Sequence, residues 1–291
     1  MARMVDEATS PVVARHASTV LLLRDSDRGV EVFMERRHIQ SDFVGGAYVF
    51  PGGRVDPEDR VDEALCHGLT DREASARLAL EEGGLTFYVA AIRECFEEAG
   101  VLLAYDRDGR ILDFSDRSVE QHFERLRTEL NAGERSLLDI AATEGLTLAT
   151  DRISYWAHWI TPEGQPRRYD TRFFVTRAPR NQTAAHDDHE LTSSAWVTAS
   201  EALEHGRRKE WMIIFPTIRN LQKLAQFESA DAAIAAVDGQ AEFPVMQPRV
   251  LMGRTPDEPA RAVLPGDEGY EEAAMRPSAA NVKDWQRAFS R

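Results

Sequence analysis

Arg93-Glu94-Cys95-Phe96-Glu97-Glu98-Ala99-Gly100-Val101 is the stretch on which the reading of this chain turns. Set on a helix, Glu94, Glu97 and Glu98 fall at i, i+3 and i+4, so three carboxylates share one face. Ala91, Ile92, Cys95, Phe96 and Ala99 make the opposite face, which is core-like. Like charges at these spacings cost a helix roughly 0.2–0.5 kcal/mol per pair, and an i,i+4 pair between Arg93 and Glu97 offsets part of that. A bare Glu-x-x-Glu-Glu is more often a solvated surface. A hard cation over the face explains three crowded carboxylates better, because Mg²⁺ is held by oxygen ligands and keeps several waters. Upstream, the pattern predicts helix from about Phe87, and Gly100 stops it in the C-terminal capping position.

Working outward, Phe50-Pro51-Gly52-Gly53 reads as a short strand entering a tight turn whose glycines let the backbone approach a ligand closely. Ser18 to Leu23 and Val30 to Arg36 are predicted as a hairpin around Asp25 to Gly29. Asp62 to Glu82, rich in Ala, Leu, Arg and Glu, is predicted largely helical, as are Ser118 to Asn131 and Leu137 to Glu144. Ile153 to Ile160, Thr171 to Thr176 and Leu191 to Val197 read as strands, Ala199 to His205 as a short helix and Thr217 to Val237 as one long helix. Strands and helices interleave throughout, so the class is α/β or α+β around one main core.

Together the glycine turn and the carboxylate helix resemble the Nudix box, G-x5-E-x7-R-E-U-x-E-E-x-G-U with U aliphatic. The second half matches Arg93 to Val101 with one departure, Cys95 at an aliphatic position. In the first half, Asp59 stands where counting from Gly53 puts the first Glu, and about 26 residues (Arg60 to Leu85) are inserted before the arginine. That insertion leaves Asp59 without an assigned role. The insertion, the run Val49 to Asp56 and His158-Trp159-Ile160-Thr161-Pro162 ahead of Arg172-Phe173-Phe174 are similar to the branch containing peroxisomal coenzyme A diphosphatase-like proteins.

The resemblance implies an α/β/α sandwich with a mixed β-sheet over about residues 15–240, helical insertions at about 60–85 and 115–146, and a C-terminal helical extension. The tail, 241–291, is expected to be extended and partly ordered. It implies Glu97 and Glu98 as the main Mg²⁺ (or Mn²⁺) ligands, with Glu94 either a third ligand or the orienter of a water. A carbonyl of Gly52 or Gly53 would complete the shell, and Arg93 would hold the glutamates in place. A further carboxylate from outside the box is expected at Glu190, in His186-Asp187-Asp188-His189-Glu190. A zinc pair of His186 and His189 is the weaker reading of that run, lacking a third soft ligand nearby. Arg36, Arg37, Arg168 and Arg172 are candidates for phosphate, and Phe174, Tyr155 and Trp159 for stacking on a base, although strand aromatics are more often core.

Within that branch the pattern before the box departs from the better-known coenzyme A diphosphatases. Val44 and Ala47 stand where those carry His and Gln, while Gly46 and Phe50-Pro51-Gly52-Gly53 agree. Coenzyme A or an acyl derivative is the leading substrate expectation, with ADP-ribose, NADH and dinucleoside polyphosphates as alternatives. A rival of another class is a Nudix-fold sensor that binds a nucleotide without cleaving it. Such modules usually lose a catalytic glutamate, and Arg93, Glu94, Glu97 and Glu98 are all present.

Composition sets outer bounds. With 291 residues and 43% hydrophobic content the chain can bury a sizeable core. A formal charge of −14 argues against DNA or RNA polymers as partners, since a phosphate backbone is repelled. No run approaches the roughly 20 apolar residues of a membrane span. The segment from Met1 to Ser10 has no apolar signal core, and two cysteines, Cys66 and Cys95, exclude a disulfide scaffold, so a cytoplasmic protein is expected. The tail beyond Asp238 either wraps a partner subunit in a homodimer or packs on its own domain, and the first is favoured.

Overall fold

The computed structural model describes residues 12–39, 45–185, 191–253, 255, 258–275, 277 and 288. In chain order the strands and helices are β1 (Arg15–Ser26), β2 (Gly29–Arg37), β3 (Ala47–Val49), β4 (Gly52–Arg54), α1 (Asp71–Arg77) and α2 (Gly84–Ala99). Next come β5 (Ala104–Tyr105), α3 (Arg117–Asn131), α4 (Leu137–Glu144), β6 (Thr147–Leu148), β7 (Ser154–Ile160) and β8 (Tyr169–Arg177). Then follow β9 (Leu191–Thr198), α5 (Ala199–Arg207), β10 (Met212–Ile213), α6 (Phe215–Leu224), α7 (Ala230–Asp238), β11 (Val245–Met246), β12 (Arg249–Leu251) and β13 (Arg261–Val263).

Nine strands form one mixed sheet in the order β10-β3-β2-β1-β8-β7-β11, with β4 also on β1 and β9 also on β2. β1 runs parallel to β8 and antiparallel to β2 and β4. Its apolar run Val20-Leu21-Leu22-Leu23 is buried on both sides. Val20 and Leu22 join a core with α2, α3 and α4, whereas Leu21 and Leu23 join one with α5, α6 and α7. A strand alternating between two covered faces needs apolar residues at every position, so its sequence is a continuous run. The expected α/β/α layering is met.

Two expectations are corrected. The segment Asp62 to Glu82 is mostly irregular: one short 3-10 turn, Glu63–Leu65, precedes α1, and Gly68 turns the chain at φ +73°. The single long helix from Thr217 to Val237 is two, because Ser229 accepts a hydrogen bond from Ala232 N and starts α7 afresh. Helical extension is supplied by α6 and α7, but the described residues beyond them carry short strands. There the tail packs on its own domain: β11 pairs with β7, Phe243 lies 4.4 Å from Tyr155 and Leu264 enters the α5–α7 core.

α6 carries a partly buried amine. Lys223 Nζ donates to Trp156 O at 2.8 Å and sits 4.0 Å from the Trp156 ring centre. Burial pulls its ammonium down to about 8. Between that value and the ordinary lysine range the unfolded chain keeps a proton that the folded chain has lost. Stability therefore rises with pH through this window. Urea unfolding from pH 8 to 10 should show the native chain gaining roughly 1–3 kcal/mol relative to Lys223→Met. Parallel pH profiles for the two proteins would contradict this.

Candidate active site

The site is built where α2 crosses β4. Gly53 allows the contact: a Cβ there would stand 2.5 Å from Glu94 Oε1. Gly52 N donates to Glu98 Oε2 at 2.6 Å, and a Cβ at Gly52 would meet Ser18 O at 2.6 Å. Deeper along the same helix, Ser18 Oγ donates to Phe87 O at 2.8 Å. The two glycines thus let the glutamate side chains of α2 seat directly against the β4 backbone, and Ser18 ties the helix to β1. Gly100 ends α2 at φ +69°, a conformation that favours glycine, and its N–H closes the last turn onto Phe96 O.

Arg93 is the hub. Its Nε and Nη2 grip Asp59 at 2.7 and 3.0 Å, Nη1 reaches Glu94 Oε1 at 2.9 Å and Glu97 Oε2 at 2.7 Å, and Nη2 donates to Arg54 O at 2.8 Å. Such a planar fork, with five donors in fixed directions, is what arginine alone supplies. Asp59 is 1% exposed and lies 34 residues from Arg93 in sequence. The G-x5 count found this position, but the inserted segment hid its role; the fold returns it to the arginine. Three carboxylates, from Asp59, Glu94 and Glu97, therefore close on one guanidinium, with Asp56 at 3.8 Å.

Burial dominates the electrostatics. It raises the Glu94 carboxyl well above its ordinary range, with Glu98 and Glu97 adding to the rise and Arg93 opposing it. Glu97 is raised for the same leading reason, again against Arg93. Unbalanced negative charge on oxygen donors, held on one helix face, fits a hard divalent cation. Among the described residues, no group of three or more His, Cys, Asp or Glu converges as a ready ligand set. Glu94 and Glu97 lean on Arg93, and Glu98 on the Gly52 amide, so a cation would compete for carboxylates already held by hydrogen bonds.

The inserted segment supports the other end of the helix. α2 has no side-chain cap of its own. Instead Asp71 of α1 accepts from Gly83 N and Leu85 N, both at 2.9 Å, and Ser75 Oγ accepts from Gly84 N at 2.9 Å. An acidic side chain here satisfies orphan amides and faces the positive end of the helix dipole. Asp71→Ala should cost about 1–2 kcal/mol, measured by denaturant unfolding. A loss below a few tenths would show that water replaces the cap.

Several site candidates read from the sequence are held in contacts away from the α2 carboxylates. Phe174 is fully buried, 4.7 Å from Tyr88 and 5.9 Å from Tyr155. Arg172 is 3% exposed, pairs with Asp170 and lies over the Phe87 ring. Arg168 donates to Thr161 O and Val12 O, bracing the β7–β8 connection. Tyr155 and Trp159 are core as well. Arg36, opposite Tyr48 on β3 and Ser193 on β9, shares by alternation the face of Val32 and Met34, away from α2. Arg37 follows a register shift at the end of β2. Glu190, with His186 and His189, lies outside the described residues.

With this geometry in place, residues 69–224, more than half of the chain, match the family model of the NUDT19 Nudix domain. The chain belongs to that Nudix family. Nudix hydrolases generally use divalent metals. Acyl-coenzyme A diphosphatase NUDT19 of Gallus gallus is 28% identical over 83% of this chain and 73% of its own length. The Xenopus laevis protein of the same name is 26% identical over 68% of this chain, which spans 60% of that relative's length. Among solved structures, a NUDIX hydrolase from Alicyclobacillus acidocaldarius aligns with a TM-score of 0.60 at 24% identity, over 77% of this chain and 96% of its own, and so shares the fold. Among the described residues, no helix is long and apolar enough to cross a membrane.

Proposed function

We propose that this Nudix protein is a divalent-cation-dependent hydrolase that cuts the diphosphate of coenzyme A or an acyl-coenzyme A. The observation that carries the reading is the carboxylate set of α2, complete and anchored through Arg93 to Asp59. The names of the vertebrate relatives support the substrate class.

Glu97 and Glu98 would hold the cation, Mg²⁺ or Mn²⁺, with Glu94 as third ligand or water orienter and a carbonyl of Gly52 or Gly53 beside them. When bound, the cation would neutralise the diphosphate and lower the pKa of an attacking water. Arg93 keeps the carboxylates in register, so its work is positional. A carboxylate takes the proton of the water, and Glu190 is our candidate for that base. The water oxygen bonds to one phosphorus as the bridging P–O bond breaks. The products are two phosphomonoesters, 3′-phosphoadenosine 5′-monophosphate and 4′-phosphopantetheine or its acyl form. Arg37, at the end of β2, is the cation we assign to the substrate's phosphates. The same reading places the protein in the cytoplasm, where its free cysteines stay reduced, with a homodimer as the assembly to test.

A panel of coenzyme A, acetyl-coenzyme A, ADP-ribose, NADH and diadenosine polyphosphates tests the substrate class. The expected result is a kcat/KM for a coenzyme A compound at least tenfold above the others. Preference for ADP-ribose or a dinucleotide would overturn the substrate, and tight binding without turnover would favour a sensor.

A further inference from the structure

We propose that Arg127, on the second insertion, is a positioning residue that clamps the metal-binding end of α2. This rests on the metal reading of Glu97 and Glu98 above. The last carbonyls of a helix have no partner within it. Here Arg127 Nε donates to Glu97 O at 2.9 Å, and Nη2 donates to Glu98 O at 2.5 Å and to Ala185 O at 3.0 Å. Asn131, one turn further along α3, adds a bond to Glu97 O at 3.3 Å. The two carbonyls engaged belong to the two residues whose side chains are assigned to the cation. Fixing their main chain fixes where the carboxylates start.

The local sequence is shaped around this contact. A Cβ at Gly100 would stand 2.9 Å from Arg127 Nη1, so the glycine that ends the helix also admits the guanidinium. Its positive charge meets the negative end of the helix dipole. Ala185 also donates its N–H to Ala99 O at 2.9 Å. The clamp therefore joins the last turn of α2 to the residue from which the chain enters 186–190, the run that holds Glu190. A lysine could reach one carbonyl, but only a fork of donors spans three.

The test uses the full chain with Arg127→Gln, Arg127→Lys and, as a control at the opposite end of the same helix, Asp71→Ala. Two readouts avoid turnover: amide hydrogen exchange along α2 and Mn²⁺ binding followed by electron paramagnetic resonance. Arg127→Gln should speed exchange at Gly100 and Val101 about tenfold or more and weaken Mn²⁺ about 10- to 100-fold, the range for supports of metal ligands. Arg127→Lys should recover part of both. Asp71→Ala should loosen the Leu85 end and leave the Mn²⁺ affinity within twofold. Unchanged exchange in Arg127→Gln, or an equal loss of Mn²⁺ affinity in Asp71→Ala, would overturn the clamp. Absence of Mn²⁺ binding by the unaltered chain would instead overturn the metal reading, so the two failures are separable.

Discussion

Glu98→Gln should lower kcat about 10²–10³-fold with little change in KM, and Glu97→Gln should do the same. The estimate is the usual cost of removing one element that stabilises transition-state charge. Glutamine keeps the shape and can still accept from the Gly52 amide, so the loss isolates the negative charge. Glu82→Gln, at an exposed glutamate just before α2, should leave turnover unchanged. Stability should move the other way. Burial raises the carboxyls of Glu94 and Glu97, so the folded chain binds protons more tightly than the unfolded one. In metal-free buffer, stability then falls as pH climbs above the ordinary glutamate range, and charged glutamates are a liability at pH 7. Glu94→Gln should be at least as stable as the native chain at pH 7 without metal. Mg²⁺ should raise the melting temperature of the native chain more than that of the variant, since only binding to the folded state stabilises. A Glu94→Gln chain that is less stable without metal would contradict this picture of stored repulsion.

Arg93→Met is expected to cost about 3–5 kcal/mol, the range for removing one partner of a buried ion pair. It strands Asp59, Glu94 and Glu97 without their common cation. The deficit should shrink toward pH 4, where the abandoned carboxylates can take up protons. Asp59→Asn should cost less, about 1–3 kcal/mol, because Arg93 keeps Glu94, Glu97 and Arg54 O as partners. Both variants should lose tenfold or more in kcat, since small displacements of reacting groups are costly. Denaturant unfolding and turnover measured well below the melting temperature check this. An Arg93→Met chain of native stability would show that the cluster contributes nothing net.

The carboxylate helix was legible because its signal is local: charge spacing, an apolar back face and a capping glycine all lie between Ala91 and Gly100. Asp59 was legible in position and illegible in role, because its bond to Arg93 forms across an insertion whose path composition does not reveal. The same segment shows why composition misled. Its Ala, Arg and Glu content suits a helix, yet only Asp71–Arg77 forms one, between the Thr70 cap and the left-handed backbone at Ala79. The surroundings of Arg172 and Phe174 were hidden for a different reason. Alternation places them on one face of β8, but the sequence cannot say that α2 covers that face. Asp71 and Arg127 left no trace because they bind main-chain groups, which every residue carries.

The most direct measurement is ³¹P NMR of coenzyme A incubated with the purified chain, once with Mg²⁺ and once with excess EDTA. The expected result is loss of the diphosphate resonances and growth of two phosphomonoester signals with Mg²⁺, and neither change with EDTA. Diphosphate signals that persist with Mg²⁺ and with Mn²⁺, for coenzyme A and its acyl forms alike, would contradict a coenzyme A diphosphatase built on this carboxylate helix.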